Sequence, residues 1–151
     1  SCVRASVDRN LFRASDHRAG IGGQVGPNPT GWTFGLTHAT VTNPAPWMDG
    51  LPETLKQYGA HIEQVTALPK GADILTTAPA CPVAGFCMGA SVYTTQNHPE
   101  MTPRFIEALV AEYHDKLPEG VGERAKASLC EHADTTAYAE SIACFFEQSA
   151  D

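Results

Sequence analysis

Residues 85–100 read GFCMGASVYTTQNHPE. Two β-prone runs, VAGFCM (83–88) and SVYTTQ (91–96), are separated by Gly89-Ala90, which is the spacing of a β-hairpin. His98-Pro99-Glu100 follows the second run at once. The sequence therefore predicts a hairpin, then a histidine and a carboxylate placed between a strand end and a helix start.

Cys87 lies in a Gly-x-Cys-x-Gly pattern that superficially resembles a nucleophile elbow. An elbow joins a strand to a helix, so that the sulfur is aimed at the helix N-terminus and its thiolate is stabilised. After Cys87 comes a short turn and a second β-prone run, not a helix. We therefore predict that Cys87 is a structural strand residue without a catalytic role.

His98 and Glu100 are more informative. In an extended segment, residues two apart project to the same side, and Pro99 fixes its own φ and stiffens this arrangement. A carboxylate so placed can hold a histidine in one tautomer and stabilise the imidazolium during proton transfer. The alternative is a His-Pro turn with a glutamate favoured by the dipole of the next helix. Taken alone, the pair is also compatible with that structural role.

The regions before the hairpin predict mainly extended structure. WTFGLTHATV (32–41) is rich in threonine and aromatic residues, as strands are. Residues 44–55 indicate a loop leading to a short helical turn. Residues 61–77 hold two short apolar runs around a Pro69–Gly71 turn, which we expect to be extended.

Helices are predicted after the hairpin. Thr102 suits an N-cap and Pro103 the first helical position, and the apolar residues that follow recur at helical spacing. Two further helices are expected around 119–130 and 135–147. In the last of these, one apolar face is formed by Tyr138, Ile142, Phe145 and Phe146. This face is typical of a core contact and not of a cofactor site.

Composition narrows the classes of function. The chain has 151 residues and a formal net charge of −7, which disfavours nucleic acid as a partner. No run is long enough to span a membrane and the first twenty residues hold no signal peptide, so we expect a cytoplasmic protein. Five cysteines without dense spacing argue against a disulfide framework. A zinc site from Cys81, Cys87 and His98 lacks the usual ligand spacing, so no metal and no cofactor are expected.

Several motifs occur in the order found in one enzyme family. Gln96-Asn97-His98-Pro99-Glu100 resembles the Gln-x-His-Pro-Glu signature of class I glutamine amidotransferases. GGQVGPNPTGW (22–32) is similar to the family's segment after its nucleophile helix, and HIEQVTALP (61–69) to its His-x-Asp-x-Val segment. Cys81-Pro82-Val83 and the hairpin resemble the strands that lead into the signature. The resemblance covers about residues 22–114, with a helical tail like that of stand-alone, GMP-synthase-like members.

The resemblance implies an α/β fold, a mostly parallel sheet flanked by helices. It also implies glutamine as substrate, hydrolysed at its side-chain amide by a Cys–His–Glu triad through a glutamyl thioester, with the ammonia passed to an acceptor or released. His98 would be the base and Glu100 its orienting partner. The fold would be truncated on its N-terminal side, and such a fragment is expected to expose apolar surface and self-associate.

The nucleophile is missing from the expected place. The family's cysteine lies in a Gly-x-Cys-x-Gly-His-Gln elbow before the segment that matches residues 22–32, which corresponds to a position near Leu11. Residues 10–23 read NLFRASDHRAGIGG, with no cysteine, and Cys2 lies nine residues too early. We therefore divide the chain into an atypical segment, 1–21, and a partial amidotransferase-like domain, 22–151.

A shifted reading frame would account for the atypical segment. Residues 10–15, Asn-Leu-Phe-Arg-Ala-Ser, can be encoded so that reading one base later gives Thr-Cys-Ser-Gly-His-Gln, the missing elbow. True divergence and an alternative start are the rival explanations. As written, the chain is expected to be inactive. The alternatives to an amidotransferase are a non-catalytic binding or scaffold remnant of the fold and a γ-glutamyl peptidase-like hydrolase, which would also need a cysteine.

Overall fold

The computed structural model describes residues 22–149, in which seven β-strands are followed by three α-helices. The strands are β1 Gln24–Pro27, β2 Thr33–Val41, β3 Thr54–His61, β4 Glu63–Ala67, β5 Asp73–Ala78, β6 Cys81–Met88 and β7 Val92–Thr95. The helices are α1 Pro103–Glu112, α2 Val121–Ser128 and α3 Thr135–Gln148, and a 3₁₀ turn spans Pro46–Met48. The atypical segment, 1–21, lies outside the described residues.

The strands form a five-stranded sheet in the order β3-β2-β5-β6-β7 and a separate pair, β1-β4. Every pairing among residues 22–149 is antiparallel. The predicted combination of strands with flanking helices is present, but the expected mostly parallel pairing is not found in this part of the chain. The reason is connectivity: parallel neighbours need a crossover of a dozen or more residues, usually a helix. Here the described helices all follow β7.

The hairpin and the helices are confirmed close to their predicted positions. β6 and β7 pair from Gly85↔Thr95 to Met88↔Val92 around the Gly89-Ala90 turn. α1 begins at Pro103, and the Thr102 hydroxyl accepts a hydrogen bond from the Phe105 N–H at 3.2 Å. No helix within residues 22–149 is long and apolar enough to cross a membrane.

Two strands, β1 and β3, were not predicted from the sequence, and β3 is the longer of them. β3 (Thr54–His61) includes the polar pair Lys56 and Gln57 and the flexible Gly59, none of which favours a strand. Its pairing with β2 over eight registered positions supplies the backbone partners that local propensity does not indicate. Long-range pairing therefore outweighs the local signal here.

Two apolar clusters join the helices to the sheet. Trp47, Met48, Leu75 and Phe145 are buried together, with the Trp47 and Phe145 rings 5.0 Å apart, so α3 packs on the 3₁₀ turn and the sheet. On the other side of the domain, Tyr58, Ile106, Val110 and Ala125 are buried between β3, α1 and α2. The predicted apolar face of α3 is confirmed for Tyr138 and Phe145, whereas Phe146 is 47% exposed.

Gly35 sets the distance between β2 and α2. Its φ is +95°, and a Cβ atom there would lie 2.8 Å from the Ala125 Cα and 2.7 Å from the Ser128 Oγ. The Ser128 hydroxyl in turn accepts a hydrogen bond from the Leu36 N–H at 2.9 Å. The close approach of helix to strand therefore requires a residue without a side chain at position 35.

His61 fixes the turn from β3 to β4. Its Nδ1–H donates to the Glu63 carbonyl at 3.1 Å, which leaves Nε2 as the unprotonated atom of the neutral ring. Nε2 is buried and has no hydrogen-bond partner in residues 22–149. Burial lowers the pKa of His61, the bond to Glu63 opposes this, and His98 nearby lowers it further. The folded protein therefore favours the neutral imidazole.

We predict that Gly35→Ala destabilises the domain by about 2–4 kcal/mol, because it adds a clash with the α2 backbone to the strain of a positive φ. Gly31→Ala is the matched control: its φ is +82° but nothing lies within 4 Å of its added Cβ. It should lose only about 1–2 kcal/mol. Urea unfolding followed by circular dichroism measures both variants, and equal losses would mean that the β2–α2 contact is not tight.

We predict that His61 makes the fold less stable in mild acid. Its folded pKa lies below the ordinary value of 6.5, so the unfolded chain binds the extra proton and stability falls as the pH drops below 6.5. His61→Gln should remove part of this slope, at most about 1.4 kcal/mol per pH unit. His114→Gln, at a side chain that is 82% exposed, is the control. The same slope in both variants, measured by urea unfolding from pH 5 to 7.5, would contradict the prediction.

Candidate functional site

The segment after β7 connects the two ends of the five-stranded sheet. The Gln96 N–H donates to the Ala84 carbonyl of β6 at 2.7 Å, and two residues later the His98 N–H donates to the Tyr58 carbonyl of β3 at 2.8 Å. His98 thereby makes an isolated antiparallel bridge with Tyr58, which is buried. The backbone of His98 is consequently fixed on a rigid part of the fold.

Gln96 and Asn97, the two buried residues before His98, are hydrogen-bonded to the strands. Gln96 bonds through its amide to the backbone of β4: Oε1 accepts from the Val65 N–H at 3.1 Å, and Nε2 donates to the Glu63 carbonyl at 3.4 Å. The Asn97 N–H donates to the Thr95 hydroxyl at 3.1 Å. Sequence analysis used Gln96 only as part of a motif; a polar amide inside a β-prone run is the signal that could have shown its structural role.

The predicted contact between His98 and Glu100 is confirmed. Nδ1 of His98 lies 2.9 Å from Oε1 of Glu100. Since an ionised carboxylate can only accept, Nδ1–H is the donor, and Nε2 of the neutral ring is left free to take a proton. The His98 side chain is 20% exposed and that of Glu100 is 64% exposed. The imidazole is thus held by protein on one side while part of it remains accessible.

The N-terminus of α1 favours the negative charge of Glu100. Glu100 lies three residues before Pro103, the first residue of α1. The unpaired N–H groups at a helix start carry a partial positive charge, which stabilises nearby anions.

Two of the described cysteines, Cys81 and Cys87, are not built as nucleophiles. Cys87 lies in β6, as predicted, and burial and the charge of Asp73 raise the pKa of its thiol. Burial raises the pKa of Cys81 to about 11, and its sulfur donates to the Val83 carbonyl at 3.4 Å. A thiol in this state is almost fully protonated at neutral pH and reacts poorly.

No set of three or more His, Cys, Asp or Glu side chains within residues 22–149 is arranged to hold a metal ion. Cys81, Cys87 and His98, which were considered above as zinc ligands, do not form such a set. The place expected for the nucleophile, near Leu11, lies outside the described residues. The catalytic assignment of His98 and Glu100 therefore remains a prediction that rests on their geometry.

No protein-family model matches the chain. Among curated proteins, a glutamine-hydrolysing GMP synthase of Clostridium novyi is 32% identical over 82 residues, which is 54% of this chain and 16% of the relative. The GMP synthase of Aeropyrum pernix is 33% identical over 81 residues, with the same two shares. That of Ralstonia pickettii is 45% identical over 49 residues, 32% of this chain and 9% of the relative. The chain thus matches only a small part of these relatives.

Solved structures agree on the fold. A glutamine amidotransferase of Thermotoga maritima superposes with a TM-score of 0.60 at 18% identity, over 87% of this chain and 56% of that one. Another, from Methylobacillus flagellatus, gives a TM-score of 0.65 at 15% identity, over 85% and 57%. The fold is thus the α/β fold of class I glutamine amidotransferases, and over about half of its length the chain is similar in sequence to glutamine-hydrolysing GMP synthases.

Proposed function

We propose that His98 and Glu100 are the base and the orienting carboxylate of a site for hydrolysis of the glutamine side-chain amide. The observation that carries the proposal is the 2.9 Å contact from Nδ1 to the carboxylate, on a segment whose backbone is fixed by β6 and β3. Relatives described as glutamine-hydrolysing support the choice of glutamine as substrate.

The geometry suits a base that acts through Nε2. A cysteine thiol would pass its proton to Nε2, and the thiolate would attack the amide carbon of glutamine. The resulting imidazolium, stabilised by Glu100, would return the proton to the leaving nitrogen, so that ammonia departs and a glutamyl thioester remains. Water, with its proton taken by Nε2, would then release glutamate and restore the thiol.

The two buried cysteines before His98 are poor candidates for the nucleophile. The side-chain hydrogen bond of His98 within residues 22–149 goes to Glu100, and the buried thiols of Cys81 and Cys87 are held in the protonated form. Residues 1–21 contain Cys2 alone, without the glycines of an elbow. We therefore propose that the 151-residue chain does not hydrolyse glutamine by itself, and that a frame shift within 1–21 is the cause.

The other assignments are proposals of the same kind. An enzyme that accepts ammonia is a suitable partner, since the relatives are named as synthases that hydrolyse glutamine. The acceptor itself is not identified by any residue of the site. Self-association of the 151-residue chain and a cytoplasmic location stay predictions.

We predict that the purified 151-residue chain releases no ammonia from L-glutamine above the buffer background. The reason is the missing thiolate beside Nε2, which no other described group replaces. Leu11→Cys alone should not restore activity, because a nucleophile also needs the small residues that permit the tight turn. A coupled glutamate dehydrogenase assay measures the ammonia. Turnover that survives His98→Ala would show that some other site is at work.

We predict that the product of the shifted frame, read with its upstream codons, hydrolyses glutamine. In that protein His98→Ala should lower kcat by about 10⁴–10⁶-fold, and Glu100→Gln by about 10⁴-fold, because the base or its tautomer is lost. His114→Ala, far along the chain at an exposed ion pair with Asp115, is the control and should change kcat less than twofold. The gene sequence decides the first step: if no open shifted frame exists, the proposed cause of inactivity is wrong.

A further inference from the structure

We propose that Gln96 is a positioning residue for His98: its side-chain amide clamps β4 to the segment that carries the imidazole and thereby holds His98 in the Nδ1–H tautomer. This inference deepens the proposed function and rests on it, since the tautomer matters for catalysis only if Nε2 takes a proton. The clamp itself, however, can be tested without turnover.

The side-chain amide of Gln96 matches the edge of β4 that faces away from β1. Backbone groups of successive strand residues point to opposite edges, so the Glu63 carbonyl and the Val65 N–H lie on the same edge. The opposite edge faces β1, where the Ile62 carbonyl accepts from the Asn28 N–H at 2.8 Å. Gln96 bonds to the Val65 N–H and the Glu63 carbonyl, so its side chain occupies the place of a neighbouring strand.

The amide group of Gln96 is chemically suited to both of its partners on β4. A primary amide carries one acceptor and two donors on the same planar group, which is what a peptide unit offers to a neighbouring strand. An ionised glutamate has no donor for the Glu63 carbonyl, methionine has neither group, and asparagine is shorter by one methylene. Gln96 is only 7% exposed, so removing the amide leaves the Val65 N–H without its side-chain partner in a protected place, while the Glu63 carbonyl keeps the bond from His61.

The clamp on β4 is connected to the imidazole through the short backbone segment between Gln96 and His98. Gln96 is held by its N–H on Ala84 as well as by its amide on β4, and His98, two residues on, is held by its own N–H on Tyr58. Between these points the direction of the chain is fixed, and Nδ1 reaches Glu100 at 2.9 Å. Histidine in water prefers the Nε2–H tautomer, so the reverse form persists only while this contact is kept. Releasing residue 96 from β4 loosens one of the two anchors.

The experiment uses the ¹⁵N-labelled 151-residue chain and long-range ¹H–¹⁵N spectra at pH 8, with His98→Ala to assign the ring signals. The parent should show His98 mainly as the Nδ1–H tautomer. In Gln96→Met the Nε2–H share should rise at least threefold, and the Val65 amide should exchange at least tenfold faster. Gln64→Met is the matched control. Gln64 lies in β4, pairs with β1 and, like Gln96, is buried, at 5% exposed. Its Oε1 has no hydrogen-bond partner within residues 22–149. Its His98 spectrum should match the parent.

Each outcome decides the proposal. Faster Val65 exchange in Gln96→Met with an unchanged His98 tautomer would overturn it, because Gln96 would then only close the edge of β4. A parent in the Nε2–H form, or an equal change in Gln64→Met, would overturn it as well. If Gln96→Met does not fold, Gln96→Glu decides, since it keeps the acceptor for Val65: the Nε2–H share must exceed that of Gln64→Met. A shifted-frame product that fails to hydrolyse glutamine, together with the expected spectra, would count against the proposed function and leave the clamp standing.

Discussion

The constraint on which the rest of the site depends is the short segment 96–98, which joins the two ends of the sheet. Its backbone N–H groups bond to β6, to β3 and to the Thr95 hydroxyl of β7, and the buried Gln96 side chain bonds to β4. Because three strands that are distant in the chain meet here, the position of His98 is determined by long-range pairing and not by the local turn. A proton acceptor needs such a frame, since a displacement of about 1 Å can cost a hundredfold in rate.

The frame also explains why polar residues lie in this part of the interior. Gln57, Thr95 and Asn97 are each at most 4% exposed, and the Thr95 hydroxyl links Asn97 to the Gln57 side chain. Buried polar groups specify one arrangement when they are paired, and they are costly when they are not. The aromatic cluster around Trp47 supplies the apolar burial on the far side, where α3 packs. Stability and site geometry thus come from different groups of residues.

What the sequence could predict follows from the range of the interactions. The β6–β7 hairpin and α1 depend on neighbours in the chain, such as the Gly89-Ala90 turn and the Thr102 cap, and both were found. The contact of His98 with Glu100 is also local, since only Pro99 separates them. β3 and the bonds of Gln96 depend on partners about 20 to 40 residues away, as in the Val65–Gln96 bond, and a local pattern does not identify such partners. The expected parallel pairing came from the resemblance, whereas the connections between the described strands allow antiparallel neighbours.

The proposed base and the expected nucleophile come from separate parts of the sequence. Within residues 22–149, the hydrogen bonds that hold His98 and Glu100 come from residues 57–100. Cys87 is unsuited to act as a nucleophile, because β6 buries it and raises its pKa, whereas an elbow would expose a sulfur and lower its pKa. The proposed base and a reactive thiol therefore need different surroundings. Taking the two groups from separate segments meets both needs, and residues 96–100 are the segment that suits the proposed base.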